Sequence, residues 1–236
     1  MNYELFQMTL KKEIGIVLKD EQVANFKIYA SLLQEWNKVM DLTAIDETES
    51  IIEKHFFDSL LSAKYFSYDN QTVLDIGSGA GFPGLVLKIA FPNLKITLLE
   101  PTLKRCKFLQ EVISKLNLKD IEVINDRAEN YIKIARNKYD IVTSRAVSRL
   151  NILLELSIPY LNDNGVMIAL KGKNADEEIR ESQRALNVLK SKVKEKYYLR
   201  LPSEQENRCI ILIVKTEGKI DNKYPRNYNL IKNKPL

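Results

Sequence analysis

Asp75, Gly77, Gly79 and Gly81 stand at alternate positions in VLDIGSGAGFPG, residues 73–84, and Glu100 ends the next apolar run. Glycine frees the backbone to take φ > 0 and lets a ligand approach without a Cβ in the way. A short apolar run precedes these glycines. Pro83 follows them, at the first turn of a helix, where a missing N–H costs nothing. Strand, tight turn and helix at the carboxyl end of a sheet strand make a nucleotide-type cofactor site. Asp75, on the strand before the turn, can face an ammonium group. Glu100 can accept two hydrogen bonds, which suits paired ribose hydroxyls. The glycines also read as Gly79-x-Gly81-x-x-Gly84, the dinucleotide fingerprint, and Glu100 lies 21 residues past Gly79, which fits it. The alternate register is favoured, because Asp75 has a purpose in it and nothing else in the chain points to hydride chemistry.

Other polar groups end later β-rich runs. Asn125-Asp126-Arg127-Ala128-Glu129 falls on the cofactor side of the sheet, where its backbone and acidic side chains could read an adenine edge. Arg145, in Ser144-Arg145-Ala146-Val147, and Lys171, in Lys171-Gly172-Lys173, could both face an anionic substrate; the plainer reading of Lys171 is a solvated strand end. His55 and Asp58 share one helix face. Such a pair could do acid–base work. No serine or cysteine nucleophile accompanies it, so a pair tying two parts of the chain together is favoured. The single histidine and the two distant cysteines, Cys106 and Cys209, cannot build a zinc site. Both cysteines read as reduced packing residues of a cytoplasmic protein.

These groups need a scaffold, and 236 residues can bury a core of one domain with extensions. Hydrophobic content of 45% and charge of 28% are ordinary for a soluble globular chain. No apolar run reaches 18 residues, so no membrane span is expected. The acidic residues among the first thirty fit neither a signal nor a transit peptide. Residues 1–70 read as a helical extension. Asp20 can cap a helix carrying Val23, Phe26, Leu33, Trp36 and Met40, and a second helix spans about 49–66 with Ile52, Phe56, Leu60 and Ala63 as its stripe. Residues 71–216 alternate strands and helices. Strands are expected at 72–76, 95–100, 121–125, 139–144 and 166–171, each followed by a helix, which implies a parallel sheet with right-handed crossovers. Two last strands, about 195–201 and 208–215, leave no room for a crossover, so they form an antiparallel addition. The fold class is α/β, Rossmann-like, in the class I methyltransferase arrangement: seven strands with an antiparallel last strand and an N-terminal helical extension.

The net charge of +5 is unevenly spread. Residues 180–200 and the tail 217–236 are rich in lysine and arginine, with Tyr197, Tyr198, Tyr224 and Tyr228 between them. This pattern suits a polyanion such as nucleic acid. A solvated face is an equal reading.

Together, DIGSGAGFPG, LTAI (42–45), HFFDSL (55–60), KRCKFL (104–109), DRAE (126–129), SRAVSRL (144–150), LKGK (170–173) and YPR (224–226) resemble the bacterial RsmG family, also called GidB. The resemblance runs from about residue 36 to the C-terminus. It implies an S-adenosylmethionine-dependent methyltransferase acting on N7 of a guanine in 16S ribosomal RNA, near the decoding region. It carries cofactor contacts onto Gly77, Phe82, Ala128, Glu129 and Arg145. The tail departs from the family, with Asn229 and Ile231 where a glycine and a proline are common; asparagine can still support a turn with φ > 0.

The residues that are missing agree with this. Guanine N7 carries a lone pair and no proton, so no base is needed. The Pro-Cys setting of cytosine C5 methylation is absent, and SRAV stands where exocyclic-amine enzymes have an Asn/Asp-Pro-Pro-aromatic box. Arg145 and Lys171 are then the groups that orient the base or its phosphates. The expected cofactor is S-adenosylmethionine and the expected partner is 16S ribosomal RNA or the small subunit. No metal and no membrane are expected, and of the oligomeric states, which the residues leave open, a monomer is favoured. The other readings are a methyltransferase for a small molecule or protein, and an RNA-binding module without catalysis.

Overall fold

The computed structural model describes residues 1–202 and 207–236. Seven strands form one sheet: β1 (Thr72–Ile76), β2 (Lys95–Leu99), β3 (Ile121–Ile124), β4 (Tyr139–Arg145), β5 (Leu161–Lys171), β6 (Ser191–Arg200) and β7 (Asn207–Lys215). Their order is β3-β2-β1-β4-β5-β7-β6. The first five are parallel, and β7 runs antiparallel between β5 and β6. Val73, Leu74, Ile141, Val142, Met167 and Ile168 are fully buried, as strands covered on both faces require. The chain order reverses between β1 and β4, so the crevice for a ligand opens at the carboxyl ends of those two strands.

Helices cover both faces. They are α1 (Tyr3–Thr9), α2 (Asp20–Asn37), α3 (Thr48–Ile51), α4 (Asp58–Leu60), α5 (Gly84–Ala90), α6 (Leu103–Lys115), α7 (Ala128–Ala135), α8 (Leu150–Ser157), α9 (Ala175–Glu181), α10 (Gln183–Val188) and α11 (Tyr228–Asn233). The extension shares one continuous core with the sheet, from Phe6, Phe26 and Phe56 through to Val73, Leu85 and Ile141.

Several expectations shift locally. Asp20 is the first residue of α2 and not its cap; the Gln22 side chain accepts instead from the Lys19 N–H at 2.8 Å. Met40 lies beyond the end of that helix. The second helix of the extension is one run containing a π turn, Ile52–Phe57, between α3 and α4, closed by a 3₁₀ turn at Leu61–Lys64. Pro83 caps α5 and precedes its first residue. The helix after β5 breaks at Ser182, between α9 and α10.

The basic tail is folded onto the body. Arg226 clasps the fully buried Glu155 of α8 through Nε at 2.8 Å and Nη2 at 2.6 Å, and Ile231 is fully buried. Asn229 sits inside α11, so no turn forms there. Lysines of the 180–200 stretch are partly neutralised too, as where Lys196 pairs with Asp176 of α9.

Candidate active site

The glycine turn is held from three sides. Gly79 donates its N–H to Glu100 Oε2 at 2.9 Å, and Thr102 donates its own to Glu100 Oε1 at 2.9 Å. Each oxygen keeps a further lone pair. Beneath the turn, Asp75 Oδ2 accepts the Gly84 N–H at 3.0 Å, while its Oδ1 is buried with no hydrogen-bond partner among the described residues. Burial pushes the Asp75 carboxyl up to about 7. From the extension, the Tyr29 hydroxyl donates to the Ala80 carbonyl, and burial raises that phenol well above its ordinary range. A Cβ on Gly81 would meet Leu85 and the same Tyr29 oxygen, at 2.6 Å from the latter. Gly77, at φ +68°, would place a Cβ 2.7 Å from Val147.

Above the turn lies a cavity of about 370 Å³ lined by Gly77, Gly79, Phe82, Glu100, Thr102 and Arg105, with Thr43 and His55 from the extension. A second, larger cavity of about 630 Å³ is lined by Lys54, Asp58, Arg149, Lys171, Glu178 and Arg208. The two share His55, Arg145, Ala146 and Val147, so these residues form the wall between them.

Arg145 is the centre of that wall. Its Nη1 donates to the Lys54 carbonyl at 2.7 Å and to Asp58 Oδ2 at 3.2 Å, its Nη2 meets His55 Nδ1 at 2.9 Å, and its guanidinium lies 4.8 Å from the Phe82 ring centre. The Lys54 carbonyl that accepts it lies in the π turn, a helix irregularity common at functional sites. Asp58 Oδ1 accepts from Arg208 Nε at 2.9 Å, so one carboxylate holds two arginines. Burial pushes the Asp58 carboxyl up, against the pull of both guanidiniums.

Arginine only donates, so His55 Nδ1, which also lies 3.1 Å from the Lys54 carbonyl, accepts from Arg145. The proton of the neutral ring therefore sits on Nε2 and is donated to Thr43 Oγ1 at 2.9 Å. Burial, followed by the Arg145 charge, pushes His55 down to about 3. The ring also stacks on Phe82 with centroids 4.3 Å apart. His55 and Asp58 are thus a tie between extension and sheet, made through Arg145.

The family profile described as rRNA small subunit methyltransferase G, GidB, matches residues 22–207. The chain belongs to this family. It is 45% identical over 229 residues to "Ribosomal RNA small subunit methyltransferase G" of Bacillus cereus strain B4264, covering 96% of this chain and 95% of that protein. The fold matches a solved SAM-dependent methyltransferase from Aquifex aeolicus, with a TM-score of 0.54 at 19% identity over 70% of this chain and 93% of that one. It also matches M. jannaschii TYW2 in complex with AdoMet, with a TM-score of 0.58 at 14% identity over 73% of this chain and 79% of that one.

In this GidB-family chain the expected site residues separate into groups. Gly77, Gly79, Phe82, Glu100 and Arg145 line the smaller cavity. Asp75 and Gly81 lie behind it, where they brace the turn against α5 and Tyr29. Ala128 and Glu129 open α7 outside this lining, and between them and the cavity the Asn125 side chain donates to the Glu100 carbonyl at 3.0 Å. Lys171 lines the larger cavity, but its ammonium is engaged by Glu178 Oε2 at 2.7 Å and the Ser148 carbonyl at 2.6 Å. Tyr29, Glu178 and Arg208 stood in no quoted motif, whereas Thr43, Arg105 and Arg149 stood within LTAI, KRCKFL and SRAVSRL without a role of their own. Arg208 had one signal, a charge just before the apolar run Cys209–Val214.

S-adenosylmethionine is the cofactor of this methyltransferase family, and the smaller cavity suits it. Gly77 and Gly79 leave the floor bare, Glu100 retains lone pairs for hydroxyls, and Asp75 holds an unpaired buried oxygen under the turn. No group of three or more metal-ligating side chains occurs among the described residues.

Proposed function

We propose that this protein methylates N7 of a guanine in 16S ribosomal RNA, with S-adenosylmethionine in the smaller cavity and the guanine in the larger. The observation that carries this reading is the shared wall. It brings a neutral, hydrogen-bonded histidine and a committed arginine to the junction, and neither takes up a proton near neutral pH. An acceptor that must lose a proton is badly served there, whereas guanine N7 has none to lose. Cys106 donates its Sγ–H to the Glu100 carbonyl at 3.2 Å and is buried, so it does not serve as a nucleophile.

The cofactor supplies an activated methyl on a positively charged sulfur. Glu100, Gly77 and Gly79 hold the nucleoside end, with the Glu100 lone pairs toward the ribose hydroxyls. Arg145, fixed by Asp58 and His55, sets the separation of the two cavities and so the line from N7 to the methyl carbon. Alignment of this kind can supply roughly 7–11 kcal/mol of barrier reduction. Arg149 and Arg208 meet the phosphates around the extruded base, where Lys171 was first expected. Ala128 and Glu129 take the adenine side of the cofactor across the edge formed by α7. Among the described residues, no helix is long and apolar enough to cross a membrane. The same reading makes the protein a cytoplasmic monomer that visits the small subunit or its RNA.

The test is transfer of labelled methyl to purified small subunits and to naked 16S RNA, followed by nucleoside analysis. N7-methylguanine at one position is the expected product. Label on another base, on protein or nowhere overturns the proposal in favour of a different acceptor or a binding module.

A further inference from the structure

The larger cavity is lined by five cationic side chains, Lys54, Arg145, Arg149, Lys171 and Arg208, and by two carboxylates, Asp58 and Glu178. The carboxylates are in different states. Both oxygens of Asp58 are taken, one by each arginine. Glu178 uses one oxygen only: Oε2 accepts from Lys171 Nζ at 2.7 Å and from the Leu150 N–H at 2.7 Å. No hydrogen bond falls on Oε1 among the described residues, and the side chain retains 15% exposure. Lys171 and the start of α8 thus lock the carboxylate in place and leave one oxygen to offer. In a cavity whose other charged groups are donors or already filled, that oxygen is the available charged acceptor.

We propose that Glu178 reads the Watson–Crick edge of the acceptor guanine. This rests on the assignment of guanine N7 as the methyl acceptor. Guanine presents N1–H and N2–H as adjacent donors on the edge remote from N7, and an ionised carboxylate only accepts. Adenine presents an acceptor at N1, so its lone pair would face the carboxylate unpaired. A second benefit follows from the chemistry of the step. The N7 lone pair forms the new N–C bond, the C–S pair returns to sulfur, and positive charge appears on the purine. Both N–H groups become better donors as that charge grows, so the fixed carboxylate binds the transition state more tightly than the substrate. Lys171, one of the residues expected to meet substrate, acts here as a positioning residue for Glu178.

The experiment uses small-subunit RNA carrying either guanine or inosine at the acceptor position. Inosine keeps N1–H and lacks the N2 amine. kcat/KM is measured for both RNAs with the wild-type protein and with Glu178→Gln. The expected result is a guanine-over-inosine preference at least about 10-fold larger in the wild type than in the variant, as a lost bond to a charged acceptor requires. The intrinsic difference in N7 reactivity cancels in that ratio of ratios. A role limited to holding Lys171 and Leu150 would lower both rates alike, and equal preferences in the two proteins overturn the proposal. Should Glu178→Gln fail to fold, the same ratio is measured with Glu178→Asp, whose shorter side chain withdraws the oxygen while keeping the charge, and an unchanged guanine-over-inosine preference overturns the proposal. Absence of N7-methylguanine on the guanine RNA overturns the acceptor assignment and this inference with it.

Discussion

The two cavities are built from different materials. The smaller one is floored by backbone: Gly77 and Gly79 bring peptide groups to the surface, and the carboxylate of Glu100 orders the turn. The larger one is walled by charged side chains from α3–α4, β4, β5, α9 and β7, which hold one another through Asp58 and Glu178. A backbone floor recognises shape and hydroxyl groups and tolerates little added volume. A charge network recognises a polyanion and fails when any buried member is removed. Arg145 belongs to both, so damage at the wall should reach cofactor and acceptor together, whereas damage at the floor should stop at the cofactor.

The largest effect is expected on the floor. Gly77→Asp puts a side chain against Val147 and a second carboxylate opposite Glu100 in the same small cavity. Calorimetry should show S-adenosylmethionine affinity weakened more than about a thousandfold, equivalent to ~4 kcal/mol, with a lowered melting temperature beside it, because Gly77 sits at φ +68° and its Cβ would lie 2.7 Å from Val147. Undiminished affinity would break the assignment of this cavity to the cofactor.

Arg145→Ala comes next and tests the wall. It leaves Asp58 with Arg208 alone and removes the donor from His55 Nδ1. Breaking a buried ion pair by removing one partner costs about 3–5 kcal/mol, and a misplaced reacting atom costs on the order of a hundredfold in rate. Stability by denaturant and turnover on small subunits should therefore fall together. Arg145→Lys should rescue neither, because an ammonium cannot serve the Lys54 carbonyl, Asp58 and His55 from one plane. Loss of turnover at unchanged stability would make Arg145 a substrate contact without the bracing role.

The same contrast explains what the sequence made legible. The floor is local: Asp75 to Gly84 is one turn with its own backbone demands, and Glu100 ends the neighbouring strand. Strand β1 and helix α7 fall where the pattern put them, because each is a short run of one period. The larger cavity gathers Asp58, Arg145, Lys171, Glu178 and Arg208 from across the chain. Lys171 read as a cation for the substrate or a solvated strand end, because its partner Glu178 sits seven residues on, in α9. The π turn left no mark, since Ile52–Phe57 is apolar enough for an ordinary helix. The tail was misleading in the opposite sense. Arg226, read with the tail's other basic residues as suiting a polyanion or a solvated face, instead meets Glu155, an acid buried within the apolar stretch LNILLELS.

The smallest effect concerns His55 and separates a wall from a proton-transfer site. The imidazole titrates at about 3 in the folded protein against 6.5 in the ordinary case. Between those values the unfolded chain binds the proton and the folded one does not, so the contribution is fully present above pH 6.5 and is lost as pH falls from 6.5 toward 3. Lys54, Arg145 and Asp58 are the charged groups that meet or face the ring, and Arg145 contributes to holding it neutral. At about 1.4 kcal/mol per pH unit, the wild type should lose ~2 kcal/mol more stability than His55→Gln between pH 6.5 and 5. Glutamine can still accept from Arg145 and donate to Thr43, so the variant keeps the ties while removing the titration. Methyl transfer at saturating substrate should meanwhile show no limb near pH 6.5 in either protein. An acidic limb in the wild type that disappears in His55→Gln would give the histidine a proton to move, and would point to an acceptor that carries one.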